Sequence, residues 1–299
     1  LYETIKKIYY SFNHYFIRCF LFSLTNQVSI EASSDDNNSI NYVHLKNTST
    51  NLSIIYSTSY QNKIYNQIAK LKKYKNYTIE HPLLITNPYG TNTTSVYMYF
   101  KTSDELQATY TIHCEGYNDF SRTLNNNTLS GYTTNHEYLL VGAIPGQINT
   151  ITVTLTNKQG KPVDTLSWSY KAPSLQGGDQ YLTVYCDDSN ASSLSKGLYT
   201  VLGNDVTEDS EEQAYMRLYD NDGILRSEIP IISYRSHRIL FENNTMYFSI
   251  SSTKIVGMDQ TGYISKIYDT GNYKLHHDYI FDGNNNLLVL ASEKNAKTS

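Results

Sequence analysis

The side chains with the widest chemical scope in this sequence are histidines that recur in matching surroundings. His237 opens HRILFENNTMYFSISS and His277, 40 positions later, opens HDYIFDGNNNLLVLAS. Each stretch reads histidine, strand-like residues, phenylalanine, an acidic residue, an Asn-rich turn and a second strand-like run. His276 precedes His277, Asp278 follows it, and Arg235 and Arg238 flank His237. Near neutral pH an imidazole serves as nucleophile, proton shuttle or, once charged, hydrogen-bond donor to an anion. A guanidinium is a second donor suited to anionic oxygens. Beside this stands the plainer reading, in which a histidine on a strand is structural and each arginine closes a salt bridge. His81, His113 and His136 lie outside the recurring pattern and are assigned structural roles.

Strands must position these groups. Alternation along a strand puts His276 with Asp278 on one face and His277 with Tyr279 on the other. Upstream of the two histidine stretches lies another matching pair, LYDNDGILRSEI from Leu218 and GMDQTGYISKIYD from Gly257, with Gly223 and Gly262 39 positions apart. A period near 40 residues made of four short strands is what a propeller blade requires. An ordinary run of meander strands is the competing architecture. Ahead of it, from His81 to Pro173, short apolar runs alternate with turn residues. In Asn149–Thr156, Ile151, Val153 and Leu155 fall on one face and four threonines on the other, a half-buried strand, and Asn157–Lys161 supplies a hairpin turn. This block predicts a small β-sandwich. Ile64, Ile68 and Leu71 are spaced for one amphipathic helix over 61–75. Residues 25–60, with Asp35-Asp36, read as an irregular leader. The expected fold is all-β: a leader over 1–78, an N-terminal β-sandwich over 79–175, and the first two to three blades of a β-propeller over 176–299.

Composition agrees and excludes some partners. Hydrophobic residues make up 39% of the 299, charged residues 17%, and there are 29 tyrosines against one tryptophan, Trp168. Such a mixture favours strands joined by polar turns. With a net charge of −4 and no basic run beyond Lys70-Leu71-Lys72-Lys73, nucleic acid is disfavoured as a partner. Cys19, Cys114 and Cys186 are odd in number and widely spaced, so neither a zinc site nor a disulfide framework is indicated, and no metal is expected. The first methionine is Met98. Lys6-Lys7 followed by Ile8 to Leu24 has the shape of a poor signal peptide or membrane anchor, too short and polar to span a bilayer convincingly. Export is the expectation it supports.

The run HPLLITNPYGT from His81 resembles the opening of the N-terminal domain of bacterial PAPS-independent aryl-sulfate sulfotransferases. His136-Glu137-Tyr138 with the later IPGQINT from Ile144 is similar to that domain's later strands. Tyr234-Arg235-Ser236-His237-Arg238 and Lys274-Leu275-His276-His277-Asp278 resemble the first propeller blades. The match runs from about His81 to Ser292. It implies a sandwich followed by a six-bladed propeller whose central channel holds the active site. Six blades need roughly 250 residues, so the resemblance implies that the chain is an N-terminal fragment truncated inside the propeller and inactive by itself.

The activity so implied moves a sulfuryl group from a phenolic sulfate ester to an acceptor phenol through a transiently sulfated histidine, with no cofactor. Charge spreads over the sulfuryl oxygens during transfer, so donors for those oxygens and an acid/base for the phenolic oxygen are needed. The resemblance maps a channel histidine to His277 or, second, His276, as oxygen donor or proton shuttle. His237, Arg235 and Tyr89 are weaker candidates for substrate binding, Tyr89 because Asn-Pro-Tyr-Gly is first of all a turn sequence. The sulfated histidine, an H-x-N pair and an arginine belong to later blades of the family. The partners implied are a small aryl sulfate and a phenol, in the periplasm or at the cell surface of a bacterium, with a homo-oligomer and an N-terminal membrane anchor left open. The competing function is a non-catalytic cell-surface binding module of the same sandwich-plus-propeller form, since propellers host many activities. A different propeller enzyme, a lyase or hydrolase, would be expected to show carboxylate clusters, and none stands out.

Overall fold

The computed structural model describes residues 40–125, 130–178, 197–203 and 213–294. The segment proposed for export, Asp35-Asp36, Cys19 and Cys186 lie outside them. The described chain is all-β apart from two helices, α1 (Leu52–Ile55) and α2 (Thr58–Tyr74).

The helix expected over 61–75 is α2. Ser57 caps it, its side chain accepting the Tyr60 N–H, and Lys72 and Lys73 sit in the last turn, where the helix dipole favours cations. The expected face, Ile64, Ile68 and Leu71, is buried. The stretch before it is less irregular than expected. Val43, Leu45, Leu52, Ile55 and Tyr56 join the same hydrophobic core, and the Val43 N–H donates to the Leu84 carbonyl at 2.8 Å.

The sandwich is organised by one long strand. β1 (Leu83–Thr86), β2 (Val96–His113), β3 (Phe120–Leu124), β4 (Thr133–Leu140), β5 (Ile148–Thr156) and β6 (Pro162–Lys171) are all antiparallel. The first half of β2 pairs with β1 and β4, its second half with β3 and β5, and β6 extends the sheet from β5. β2 is a single strand that bends and changes sheets, a known way of turning a sandwich corner. The bend falls where the sequence is polar: the register slips between Lys101 and Leu106, around Thr102-Ser103-Asp104-Glu105. Val96–Phe100 is buried on both faces, while 106–113 alternates. In β5 the expected face, Ile151, Val153 and Leu155, is buried.

His136 shows why a sandwich histidine can be structural. Its ring stacks on Phe100, centroids 4.4 Å apart, and is hydrogen-bonded with Tyr138 Oη at 2.8 Å and Thr102 Oγ1 at 3.1 Å. Burial pushes its pKa down to about 4. Between pH 4 and 6.5 the unfolded chain therefore binds the proton that the native state excludes. Stability should be full above pH 6.5 and fall by up to about 3 kcal/mol as the pH drops toward 4. His136→Phe, which keeps a ring against Phe100, should flatten that part of the stability–pH curve. An unchanged slope in urea titrations would refute the assignment.

Three antiparallel sheets follow: β7 (Tyr199–Val201), β8 (Ala214–Tyr219) and β9 (Leu225–Ile231); β10 (Ile239–Glu242), β11 (Thr245–Ser251), β12 (Lys254–Asp259) and β13 (Ile264–Asp269); and the pair β14 (Tyr273–Phe281) and β15 (Leu287–Glu293). The 40-residue periodicity is visible in them. The hairpin turns after β8, β12 and β14 share one device, in which an aspartate accepts the N–H groups two and four residues on. Asp220 does so for Asp222 and Ile224, Asp259 for Thr261 and Tyr263, Asp282 for Asn284 and Asn286. Gly223 and Gly262 take positive φ at matching places, which glycine does without strain.

A strap, Asn-Pro-Tyr-Gly with the four residues after it (87–94), fastens the sandwich to these sheets through Thr91, Asn92, Thr93 and Thr94. Thr94 Oγ1 is bonded to Ser227 Oγ at 2.7 Å, Ser227 Oγ to Asn92 Oδ1 at 2.7 Å, and Thr91 Oγ1 to the Gly262 carbonyl at 2.7 Å. Thr93 Oγ1 donates to Glu228, a buried carboxylate also held by the Gln176 and Gly177 N–H groups. Arg226, fully buried, bonds Asp220 and two sandwich carbonyls, those of Gly142 and Asn118.

Candidate active site

The structure brings four of the five sequence-predicted site residues into one chain of rings and cations. Arg235 lies over the Tyr234 ring at 5.4 Å. Tyr234 and His237 have centroids 5.4 Å apart, His237 and His277 6.4 Å, and His277 and His276 4.1 Å. The cluster forms where two equivalent strands of successive sheets meet, just before β10 and within β14.

The local backbone does not follow strand alternation. In the β14–β15 ladder Leu275 faces Ala291, yet Tyr279 faces Val289, so β14 carries two more residues than its partner across that step. His276-His277-Asp278 forms the resulting bulge. His277 has φ +58°, the left-handed region that costs a non-glycine residue about 1–2 kcal/mol. The expectation of His276 with Asp278 on one face and His277 with Tyr279 on the other is therefore corrected. Leu275 and Tyr279 both point into the core, and both histidines stand exposed between them.

Contacts with the preceding sheet offset that strain. The His277 N–H donates to His237 Nδ1 at 3.0 Å. Arg238 Nη1 donates to Asp278 Oδ1 at 2.5 Å, and Tyr279 Oη donates to the Arg238 carbonyl. Alternation put Asp278 beside His276, but its carboxylate takes Arg238 and the Tyr279 N–H, and the hydrogen bond from Arg238 holds its pKa below the usual carboxylate range. The salt-bridge reading of the flanking arginines thus describes Arg238. His237 is itself anchored, its N–H donating to Ser249 Oγ at 2.9 Å, with Ser249 N–H bonded in turn to Ser236 Oγ.

Tyr89 is placed elsewhere. It is buried, its ring 5.5 Å from that of Tyr263, and it lines a cleft of about 350 Å³ with Tyr65, Lys72, Glu137 and Asp259. Desolvation raises the pKa of Asp259 there. Sequence reasoning passed over Tyr234, Ser236 and Ser249, which support the cluster. Their only signal was adjacency to His237 in YRSHR and membership of its second strand. Among the described residues no group of three or more His, Cys, Asp or Glu side chains is placed to hold a metal ion. Cys114 is a buried free thiol.

Exposed imidazoles beside guanidinium groups can receive an anion, donate to its oxygens and shuttle a proton. The family described as arylsulfotransferase (ASST) matches residues 183–299, and the arylsulfotransferase Ig-like domain matches residues 83–173. No curated protein matches the chain. The first match covers the meander sheets with the histidine cluster and the second the sandwich, so this chain belongs to the arylsulfotransferase family.

Proposed function

We propose that the protein transfers a sulfuryl group from an aryl sulfate to an acceptor phenol through a sulfohistidine, without PAPS. The observation that carries this reading is the cluster of His237, His277, His276 and Arg235 at the junction of two successive sheets. In the first step the S–O bond to the donor phenol breaks as an S–N bond to a histidine forms, and the departing phenolate takes a proton. In the second the acceptor phenol loses its proton, its oxygen attacks sulfur, and the S–N bond breaks. His277, with His276 beside it, supplies N–H donors to the sulfuryl oxygens or moves the phenolic proton. The histidine that carries the sulfuryl group belongs, by family resemblance, to a later repeat. The meander sheets are read as blades of a propeller, β10 and β14 being the innermost strands of neighbours. Export of the enzyme is supported by the Lys6-Lys7 and Ile8–Leu24 pattern.

The test is transfer from 4-nitrophenyl sulfate to phenol by the full-length protein with no PAPS added. Nitrophenolate release should rise with phenol concentration, and phenyl sulfate should accumulate in step with it. A strict need for PAPS, or release indifferent to the acceptor, would overturn the reading. Absence of release altogether would favour a binding module.

A further inference from the structure

We propose that His237 is a positioning residue, whose Nδ1 holds the His276-His277-Asp278 bulge in shape by accepting the His277 N–H. The kinetic part of this inference rests on the proposed function; its structural part does not.

Three observations carry it. First, the bond at 3.0 Å joins residues at equivalent places in successive repeats, 40 positions apart, so one repeat's imidazole sets the backbone of the next. Second, the donating N–H belongs to the strained residue. His277 is the bulge residue with φ +58°, and a non-glycine residue persists there only when its surroundings over-determine it. Third, the His237 backbone is anchored by its main-chain N–H donating to Ser249 Oγ, and its ring lies against the Tyr234 ring. A ring so held is a rigid acceptor. The arrangement also decides the tautomer. With Nδ1 accepting, the neutral imidazole carries its proton on Nε2.

The sequence alone places His237 among candidates for substrate binding. The geometry assigns it the different task of aiming the imidazoles of its neighbours. The two roles separate by which nitrogen matters. Asparagine puts an amide oxygen where Nδ1 stands, whereas glutamine reaches toward the position of Nε2.

The experiment uses the full-length protein and the variants His237→Asn, His237→Gln and His237→Leu. It measures amide hydrogen exchange over residues 273–281 and steady-state transfer from 4-nitrophenyl sulfate to phenol. His237→Asn should keep the His277 amide protected and retain most of the turnover. His237→Gln and His237→Leu should lose that protection and roughly tenfold in kcat with KM little changed, part of the penalty that misplacing a reacting group by about 1 Å carries. Equal losses in kcat for all three variants, with protection kept in His237→Asn, would show that Nε2 acts on substrate and overturn the proposal. Protection unaltered in every variant would overturn it too. Should the variants fail to fold, nitrogen chemical shifts of the wild type at pH 8 decide. Nδ1 must resonate as an unprotonated nitrogen and Nε2 as a protonated one, and the reverse refutes the assignment. Wild-type protein that transfers no sulfuryl group would sink the proposed function alone, leaving the exchange and shift measurements to judge His237.

Discussion

Replacing Arg226 with methionine should remove about 3–5 kcal/mol from the stability of the fold, the usual consequence of stripping one partner from a buried ion pair. Arg226 is fully buried, and its Nε meets Asp220 Oδ2 at 2.6 Å. Its other nitrogens reach the carbonyls of Asn118 at 2.7 Å and Gly142 at 3.3 Å, and its guanidinium lies over the Phe120 ring. One side chain thus ties the turn after β8 to two loops of the sandwich. Methionine fills similar space, so the loss reports the unpaired Asp220 carboxylate and two orphaned carbonyls rather than a cavity. Adding Asp220→Asn to Arg226→Met should recover part of the loss, because a neutral amide can keep the Asp222 and Ile224 N–H bonds. Urea unfolding of the single and the double variant checks this. A loss under about 1 kcal/mol for the single variant would mean that water or side-chain rearrangement satisfies the carboxylate.

The second large effect concerns catalysis. His277→Ala in the full-length protein should lower turnover on the order of 10²-fold, the range found when one donor to a developing oxyanion is removed. His237→Ala should lose less, since it acts through the backbone of His277. His113→Ala should act on stability alone, its partner being the exposed Asp119 at 2.7 Å. His276 is the rival. Both imidazoles stand exposed on the bulge, centroids 4.1 Å apart, and steady-state kinetics on each single variant, matched for Tm, separates them. Near-wild-type turnover in His277→Ala beside a dead His276→Ala would move the donor role one residue back. Full activity in both would end the catalytic reading of this strand.

What the sequence made legible was whatever local chemistry decides. The face of α2 followed from the spacing of Ile64, Ile68 and Leu71, β5 from strict alternation, and the turns after β8 and β12 from Asp and Gly at fixed offsets. The bulge at 276–278 was not legible, because the left-handed His277 depends on an acceptor 40 residues away. Alternation assumes an unbroken ladder, and nothing within KLHHDY announces two extra residues. The partner of Asp278 was hidden for the same reason: Arg238 comes from the previous sheet. Tyr89 looked available because tyrosine in a turn is often exposed, whereas the strap that carries it is pressed between the sandwich and the 259–263 turn. Residues 43–56 read as polar and irregular, yet their few apolar side chains reach the core one at a time, a pattern with no period to detect.

That strap has an entropic consequence. The aspartate turns close over four residues, as between Asp220 and Ile224. The Thr93–Glu228 and Asn92–Ser227 bonds each join positions 135 apart. Chain closure grows costlier with the logarithm of the loop, so joining the strap to β9 starts roughly 3 kcal/mol behind closing a hairpin. Several hydrogen bonds made together along 91–94, with the Arg226 cluster beside them, share that single closure. Once the first is formed the rest add at little further loss of chain freedom, so the union of sandwich and sheets behaves as one event.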